Sequence, residues 1–541
     1  MSTYKPSFIA FAMLTPYNTM IDMTLNKFSE SLITIFEKSK VVIPETANAV
    51  NPLVSELASW YEKFRNSIEY RDEEVILRAS IERILKRRLA LGGSGVTTAK
   101  PLLKELVWAR YFPESMYTEE TIKVIEKIID FYINLKAEVV KNHGMKEGDM
   151  RHLMFQLMSA DVEQTLHPNK VEEAVGNYIF HVLQKNIAAE SDLEEERDVQ
   201  LFIAIRRAYS KDDIAFLRYK LFTQYFGEMN SMDVIEVSNR FGEAYQRIES
   251  QLTHPARFKI LSYVKRQIPP FLIMEDIFAT QPDVKELAAN QEELNAVILA
   301  ACKKKYKTIS EKVRRAIIRS VIFILLSKTV IAFGIEGTYE RIFLGHIQWV
   351  TLGLNVAIPT LFMVVVGFSI RTPGEKNSLI ITNRINTLLF DEEPRIGRVI
   401  EFPVPDKKPR SVIEWVFGVL WIVAFLLSFG AISLGLSLLS FSAVSQAIFI
   451  FFLAIVSFLA YRINITAHEY SVESRQGILT PIVDFFFMPI ARVGQYLTAG
   501  ISQINIFLFI LDFIIEAPYK GLVGFFDQWF FFLHSKREEI G

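Results

Sequence analysis

Gln348, Thr351 and Asn355 stand three and four residues apart in a stretch without formal charge, so a helix there carries them on one face, with Pro359 next along it. Polar side chains in hydrocarbon are costly, and they serve either as a path for a polar solute or as hydrogen-bonding glue between helices. Arg319 and Lys328 interrupt the preceding apolar segment. With Arg319 near its cytoplasmic end and Lys328 long enough to reach the interface, a structural role rather than transport is the expectation for all of these polar residues. A second group lies near the C-terminus. Ser502, Asn505, Asp512 and Glu516 follow at spacings of three, seven and four, again one helical face. Asp512 and Glu516, one turn apart, repel and seek cations, for which Arg492 and Lys520 are nearest in the chain. A salt-bridge brace is the expected role. Convergence of Asp484, Arg492, Asp512 and Glu516 in a cleft would instead mark an enzyme acting on lipid.

Other chemistry is thin. The glycine-rich run Gly92-Gly93-Ser94-Gly95-Val96-Thr97-Thr98-Ala99-Lys100 has Ala99 where a phosphate loop needs Gly before Lys, and Val96 where a nucleophile elbow needs Gly. It reads as a helix–helix connection. No two of the eight histidines stand three or four apart, and the single Cys302 allows no internal disulfide. No cofactor and no metal are expected.

The elements that must position these residues follow from composition. Of 541 residues, 60 are Lys or Arg and 61 Asp or Glu, unevenly spread. Residues 1–310 carry 40 and 43 of them, and 311–541 only 20 and 18, with 26 of the 43 phenylalanines. This asymmetry excludes a single soluble globule, a disordered chain and a nucleic-acid binder held by net charge. Ile342–Ile370 is 29 residues without formal charge and Trp415–Tyr461 is 47. Since a span needs about 20 residues, the first makes one and the second two, turning near Ser437–Ser445. A fourth, Ala316–Ile335, precedes them. Seven basic residues, Lys303, Lys304, Lys305, Lys307, Lys312, Arg314 and Arg315, stand before the first span, eight in the 371–411 loop, two after the fourth span, and only Arg341 on the opposite side. Both termini and the middle loop are therefore expected in the cytoplasm, with the 303–315 cluster on anionic headgroups. Phe8–Leu14 is too short and poorly flanked for a signal peptide.

The fold class expected is all-α: a helical cytoplasmic domain (1–310, possibly two related subdomains divided near 160), a membrane hairpin (311–370), a cytoplasmic loop (371–411), a second hairpin (412–461) and amphipathic interfacial helices (462–541). A further hairpin is the alternative for 479–516. Within the first domain, Ser191-Asp-Leu-Glu194 suggests a capping box and Thr118 a helix start. Breaks are expected at Gly92–Gly95, Pro113, Pro168, Pro255 and Pro269–Pro270, and short strands at Leu379–Thr382 and Val399–Val404. Val75, Leu77, Ile81 and Arg83 repeat as Val199, Leu201, Ile205 and Arg207, which suggests duplication.

The runs Asp484-Phe-Phe-Phe-Met-Pro-Ile-Ala-Arg-Val-Gly494 and Ile504-Asn-Ile-Phe-Leu-Phe-Ile-Leu-Asp-Phe-Ile-Ile-Glu-Ala-Pro518 resemble a stretch of uncharacterised polytopic membrane proteins of small-genome bacteria. The resemblance implies a bacterial plasma membrane and carries no activity. Three classes remain: a membrane scaffold or adaptor with a protein partner for its cytoplasmic domain, a small-solute or ion transporter, and an interfacial lipid-acting enzyme. The missing nucleotide, metal and nucleophile motifs place the scaffold first.

Overall fold

The computed structural model describes residues 24–39, 55–62, 75–90, 92–227, 233–403, 412–472, 480–502 and 517–538. The fold is all-α, 83% helical, and four of its helices are long and apolar enough to cross a membrane. In chain order the first part holds α1 (Lys27–Ser39), α2 (55–62), α3 (Ile76–Arg88), α4 (Gly95–Trp108), α5 (Glu119–His143), α6 (Glu147–Leu166) and α7 (Lys170–Gln184). Then come β1 (Ile187–Ala188), α8 (Glu194–Ile205), α9 (Ile214–Phe226), α10 (Val234–Leu252), α11 (Arg257–Lys265), α12 (Pro269–Thr280) and α13 (Val284–Ala289). The helix α14 (Gln291–Ile331) runs on through two π-turns, Ala332–Glu336 and Glu340–Leu344, with α15 (Gly337–Tyr339) between them. After it stand α16 (Trp349–Ser369), α17 (Glu375–Phe390), β2 (Ile400–Glu401), α18 (Val412–Leu438), α19 (Ala443–Ala467), α20 (Thr480–Ser502) and α21 (Ala517–Glu538).

Local chemistry sets the helix ends. The Thr118 hydroxyl accepts from the Thr121 amide at 3.1 Å, and Glu119 and Glu120 favour the positive end of α5, which stops at left-handed Gly144. The Ser191–Glu194 capping box does not form: Ser191–Leu193 is a 3₁₀ turn, and α8 begins at Glu194 without a side-chain cap. The glycine run is a packing device. The Gly95 amide donates to the Asp130 carboxylate at 2.6 Å, and a Cβ at 95 would overlap the Glu126 backbone, so glycine lets α4 close on α5.

Two cores divide the soluble part, though not at residue 160. The first gathers α3–α6 with α9 and α10, around Leu102, Ile129, Tyr132, Leu157, Phe222 and Phe241. The second gathers α1, α7, α8 and α11–α14 around Ile179, Ile205, Phe271 and Ile298, and α17 enters it with Ile381, Ile385, Leu388 and Leu389. Within the expected 371–411 loop, α17 is thus part of the helical domain's interior. Leu379–Thr382 is helix rather than strand: Ile381 faces the core at helical spacing with Ile385 and Leu388, while Leu379 is exposed. Of Val399–Val404, Ile400–Glu401 pairs in parallel with β1, and Val404 lies outside the described residues. At the end of α17, where backbone carbonyls lack partners within the helix, the Leu388 carbonyl accepts from Asn26 Nδ2 at 2.7 Å, Ser29 Oγ at 3.2 Å and the Tyr178 hydroxyl at 2.5 Å.

In the bundle, α14, α16 and α19 pack together, and α20 lies along α19 and α18. A Cβ at Gly494 would overlap the carbonyl of Ala454, halfway along α19, and Ser428 Oγ, midway along α18, donates to the Phe486 carbonyl at 3.1 Å. A helix lying in the interface would touch the ends of the spans. Helix α20 meets them at their midpoints, though it is not among the four helices long and apolar enough to cross a membrane, and 503–516 lie outside the described residues. By contrast α21 docks on the helical domain: Val523 packs on Trp108, Tyr519 stacks on Tyr61 at 4.8 Å, and its hydroxyl donates to the Leu57 carbonyl at 2.8 Å. Leu522, Phe525 and Trp529 remain exposed on α21.

Because Leu388 is fully buried between the two halves of the second core, Leu388→Ala should destabilise the helical domain by about 2–5 kcal/mol. Thermal unfolding of the full-length protein in detergent, with hydrogen exchange over 375–390, reads that loss.

Candidate functional site

Helix α16 carries Thr351 and Asn355 at the spacing expected, with Gln348 as its N-cap, and the preceding turns bring Glu336 and Glu340 to them. Asn355 is fully buried, and its Nδ2 donates to both carboxylate oxygens of Glu336 at 2.7 Å and to the Ser445 carbonyl of α19 at 3.2 Å. Glu336 is likewise fully buried. Glu340, one turn further on, is buried too: one oxygen accepts from the Gln348 amide at 2.8 Å, and Oε1 has no partner. Thr351 Oγ1 donates to the Gln348 carbonyl at 2.9 Å, closing the turn between α15 and α16.

Lys328 completes the cluster. It was expected to extend toward the interface, yet it is fully buried, its Nζ 4.5 Å from the centroid of the Phe452 ring and without a hydrogen-bond partner. The opposite charge acting on it is that of Glu336. The reason it does not reach out is geometric: Lys328 sits on the face of α14 that meets α16 and α19, enclosed on every side. Arg319 on the same helix is exposed.

The backbone here is loosened where ligands would approach. The π-turns on either side of α15 widen the helix around Glu336 and Glu340. Pro359 has no N–H, so the Asn355 carbonyl lacks its usual partner one turn ahead. Asn355 Oδ1 also has no hydrogen-bond partner. Glu340 Oε1 and Asn355 Oδ1 are therefore buried acceptors without partners, in the same bundle as the Glu336 carboxylate that Asn355 bonds. One turn from Lys328, Ile324 joins Met363, Val456 and Ala460 in a buried apolar layer. Oxygen acceptors around a carboxylate suit a proton or a hard monovalent cation. Among the described residues no group of His, Cys, Asp and Glu has the makings of a transition-metal centre.

Of the C-terminal candidates, Asp484 and Arg492 are described. Asp484 is half-buried on α20, while Arg492 is exposed and turned to its own helix, donating to Gln495 at 2.8 Å and Tyr496 at 3.2 Å. Asn505, Asp512 and Glu516 lie outside the described residues. In the basic cluster, Lys305 pairs with Asp276 of α12 at 2.7 Å, and Lys303, Lys304, Lys307, Lys312, Arg314 and Arg315 are exposed. Cys302 is buried in the second core. Glu336 and Glu340 escaped the sequence reading because the first span was ended at Ile335. Their own spacing of four, continuing the helix, was the available signal. Compared with family models, curated proteins and solved structures, the chain matches none.

Removing one partner of a buried polar pair costs more than removing both. Asn355→Ala should therefore destabilise the bundle by about 1–3 kcal/mol, and adding Glu336→Leu should restore most of that loss. Thermal unfolding of the three proteins in detergent measures both effects.

Proposed function

We propose that this membrane-spanning protein transports a small cation, a proton or an alkali-metal ion, through the cluster of Glu336, Asn355, Glu340 and Lys328. The observation that carries the reading is the Glu336 carboxylate, fully buried in the bundle with an asparagine amide as its direct donor and acceptors without partners in the same bundle. A charge so placed is costly, and such groups mark ion and proton paths. The apolar layer one turn from Lys328 supports a cycle in which the site opens to one face at a time. Lys328 would balance Glu336 when no cation is bound.

The bacterial plasma membrane, with both termini and residues 371–411 cytoplasmic, is the location we assign. Two features support it besides the basic bias. After the first hairpin, α17 returns into the core of the helical domain, and α21 docks on the same domain. The exposed residues of the 303–315 cluster would rest on anionic headgroups, and the aromatic outer face of α21 would lie against the bilayer.

The adaptor reading, with a protein partner for the helical domain, remains the second proposal, favoured by that domain's tight docking to the bundle through α17. For the interfacial enzyme, Arg492 bonds within its own helix, and Asp512 and Glu516 lie outside the described residues.

In proteoliposomes carrying a pH-sensitive dye, with sodium and potassium gradients applied in turn, the wild type should move one of the three ions. Glu336→Gln should abolish that movement while the protein stays folded. Absence of flux in the wild type under every gradient would refute transport and leave the adaptor. Orientation is read separately by single-cysteine labelling in a Cys302→Ala background: position 440 should label from outside and position 395 from the cytoplasmic side, and the reverse pattern would invert the topology.

A further inference from the structure

A cavity of about 270 Å³ opens in the helical domain, far in sequence from the bundle cluster, between α3, α6, α7 and the turn from α8 to α9. Its buried wall holds Arg78 and Arg206, and its rim holds the exposed His167 and Asn169. Both arginines are paired with carboxylates, although the Arg78 Nε has no hydrogen-bond partner. Arg78 donates to Glu82 at 2.6 Å and Asp213 at 2.5 Å, and Arg206 to Asp212 at 2.6 Å, with Glu172 at 3.3 Å. Lys220 pairs with Glu173 at 2.8 Å. One acid is left over. Glu163 projects from α6 into the cavity, and its Oε2 is fully buried without a hydrogen-bond partner. The Ser210 hydroxyl, on the same wall, also has none.

We propose that this cavity binds a small organic cation, an amine or guanidinium, with Glu163 as its counter-ion and Ser210 bonding its polar remainder. The charge count supports a cation over an anion, because the wall holds five carboxyl groups against two arginines, and both arginines are already paired with carboxylates. A bare metal ion is a poor fit: the carboxylates are engaged by arginine, and the described residues form no metal-holding group. The volume points the same way. At roughly 30 Å³ per water, the space holds about nine waters, or a molecule of about ten non-hydrogen atoms. Phe216 offers an aromatic wall already used by cations, with Arg206 at 5.9 Å and Lys220 at 5.8 Å from its ring centroid. The inference stands independently of transport by the bundle.

Burial pushes the Glu163 carboxyl up to about 8, and the neighbouring Asp212, Asp213 and Glu172 add to the rise while Arg78 opposes it. Burial also raises Asp212, to about 6, against the pull of Arg206. The other groups facing Glu163 are His167 and Glu173 at the rim, with Arg206 and Lys220 across the cavity. Glu163 is therefore mostly protonated at neutral pH, and an entering cation must displace its proton.

The test is calorimetric titration of agmatine into the full-length protein in detergent at pH 7, in two buffers of different ionisation enthalpy. The expected result is saturable binding with release of nearly one proton per site, a release that fades above about pH 9 as Glu163 ionises unaided. Glu163→Gln, which keeps the shape of the protonated acid and so should fold normally, is expected to lose affinity at least tenfold along with the proton release. Ser210→Ala should weaken binding while keeping the proton release. The proposal is overturned if agmatine shows no saturable binding at ~10 mM, if Glu163→Gln binds it as well as the wild type, or if magnesium or inorganic phosphate binds there in preference to agmatine.

Discussion

The arrangement depends on how one helix end is satisfied. The last carbonyls of α17 have no partners within the helix, and water is excluded from them by the second core. Asn26 supplies what is missing: its side chain donates to the Leu388 and Asp391 carbonyls at 2.7 and 2.8 Å, and its amide donates to the Leu389 carbonyl at 2.9 Å. The same residue starts α1, its Oδ1 accepting from the Ser29 amide at 2.8 Å. One asparagine thus ends one helix and begins another that is more than 360 positions away in sequence. Buried backbone groups left unpaired are expensive, so the return of the chain from the first hairpin is held to one place on the helical domain. Asn377 repeats the device at the other end of α17, bonding the Tyr306 hydroxyl of α14 at 2.7 Å and the Tyr470 carbonyl after α19 at 2.8 Å.

This explains what could and could not be read from the sequence. The apolar helices were legible because length and absence of charge are sufficient in hydrocarbon. The Gln348–Thr351–Asn355 face was legible because spacing on one helix is local information. The membership of α17 in the helical core was not, since its apolar spacing says that it needs a partner without naming one. The Ser191 box failed for a related reason: the motif was present, but a 3₁₀ turn took up its first residues. Lys328 was misread because its fate depends on which face of α14 meets α16 and α19, and that is decided by three helices together.

The cluster and the cavity share one economy. Each places a carboxylate among neighbours with bonding capacity to spare, Asn355 Oδ1 and Glu340 Oε1 in the bundle, Ser210 Oγ in the helical domain. In each, a π-turn supplies the irregular backbone: Ala332–Glu336 beside Asn355, and Arg206–Ser210 beside Glu163. The extra residue in such a turn widens the helix at that point and turns side chains that would otherwise diverge toward a common space.

The 41 residues of α14 form one uninterrupted rod about 60 Å long. Its first turns are set in the helical domain through Leu294, Ile298 and Cys302, and its later turns carry Ile324 and Lys328 among the membrane helices. A rod of this kind has no joint along its length to absorb displacement. Any axial slide or roll imposed on Cys302 arrives at Lys328 undiminished, and a change in how Lys328 is seated returns to the helical domain by the same shaft. The two halves of the protein are therefore mechanically a single lever, with its fulcrum where the exposed cations of 303–315 lie.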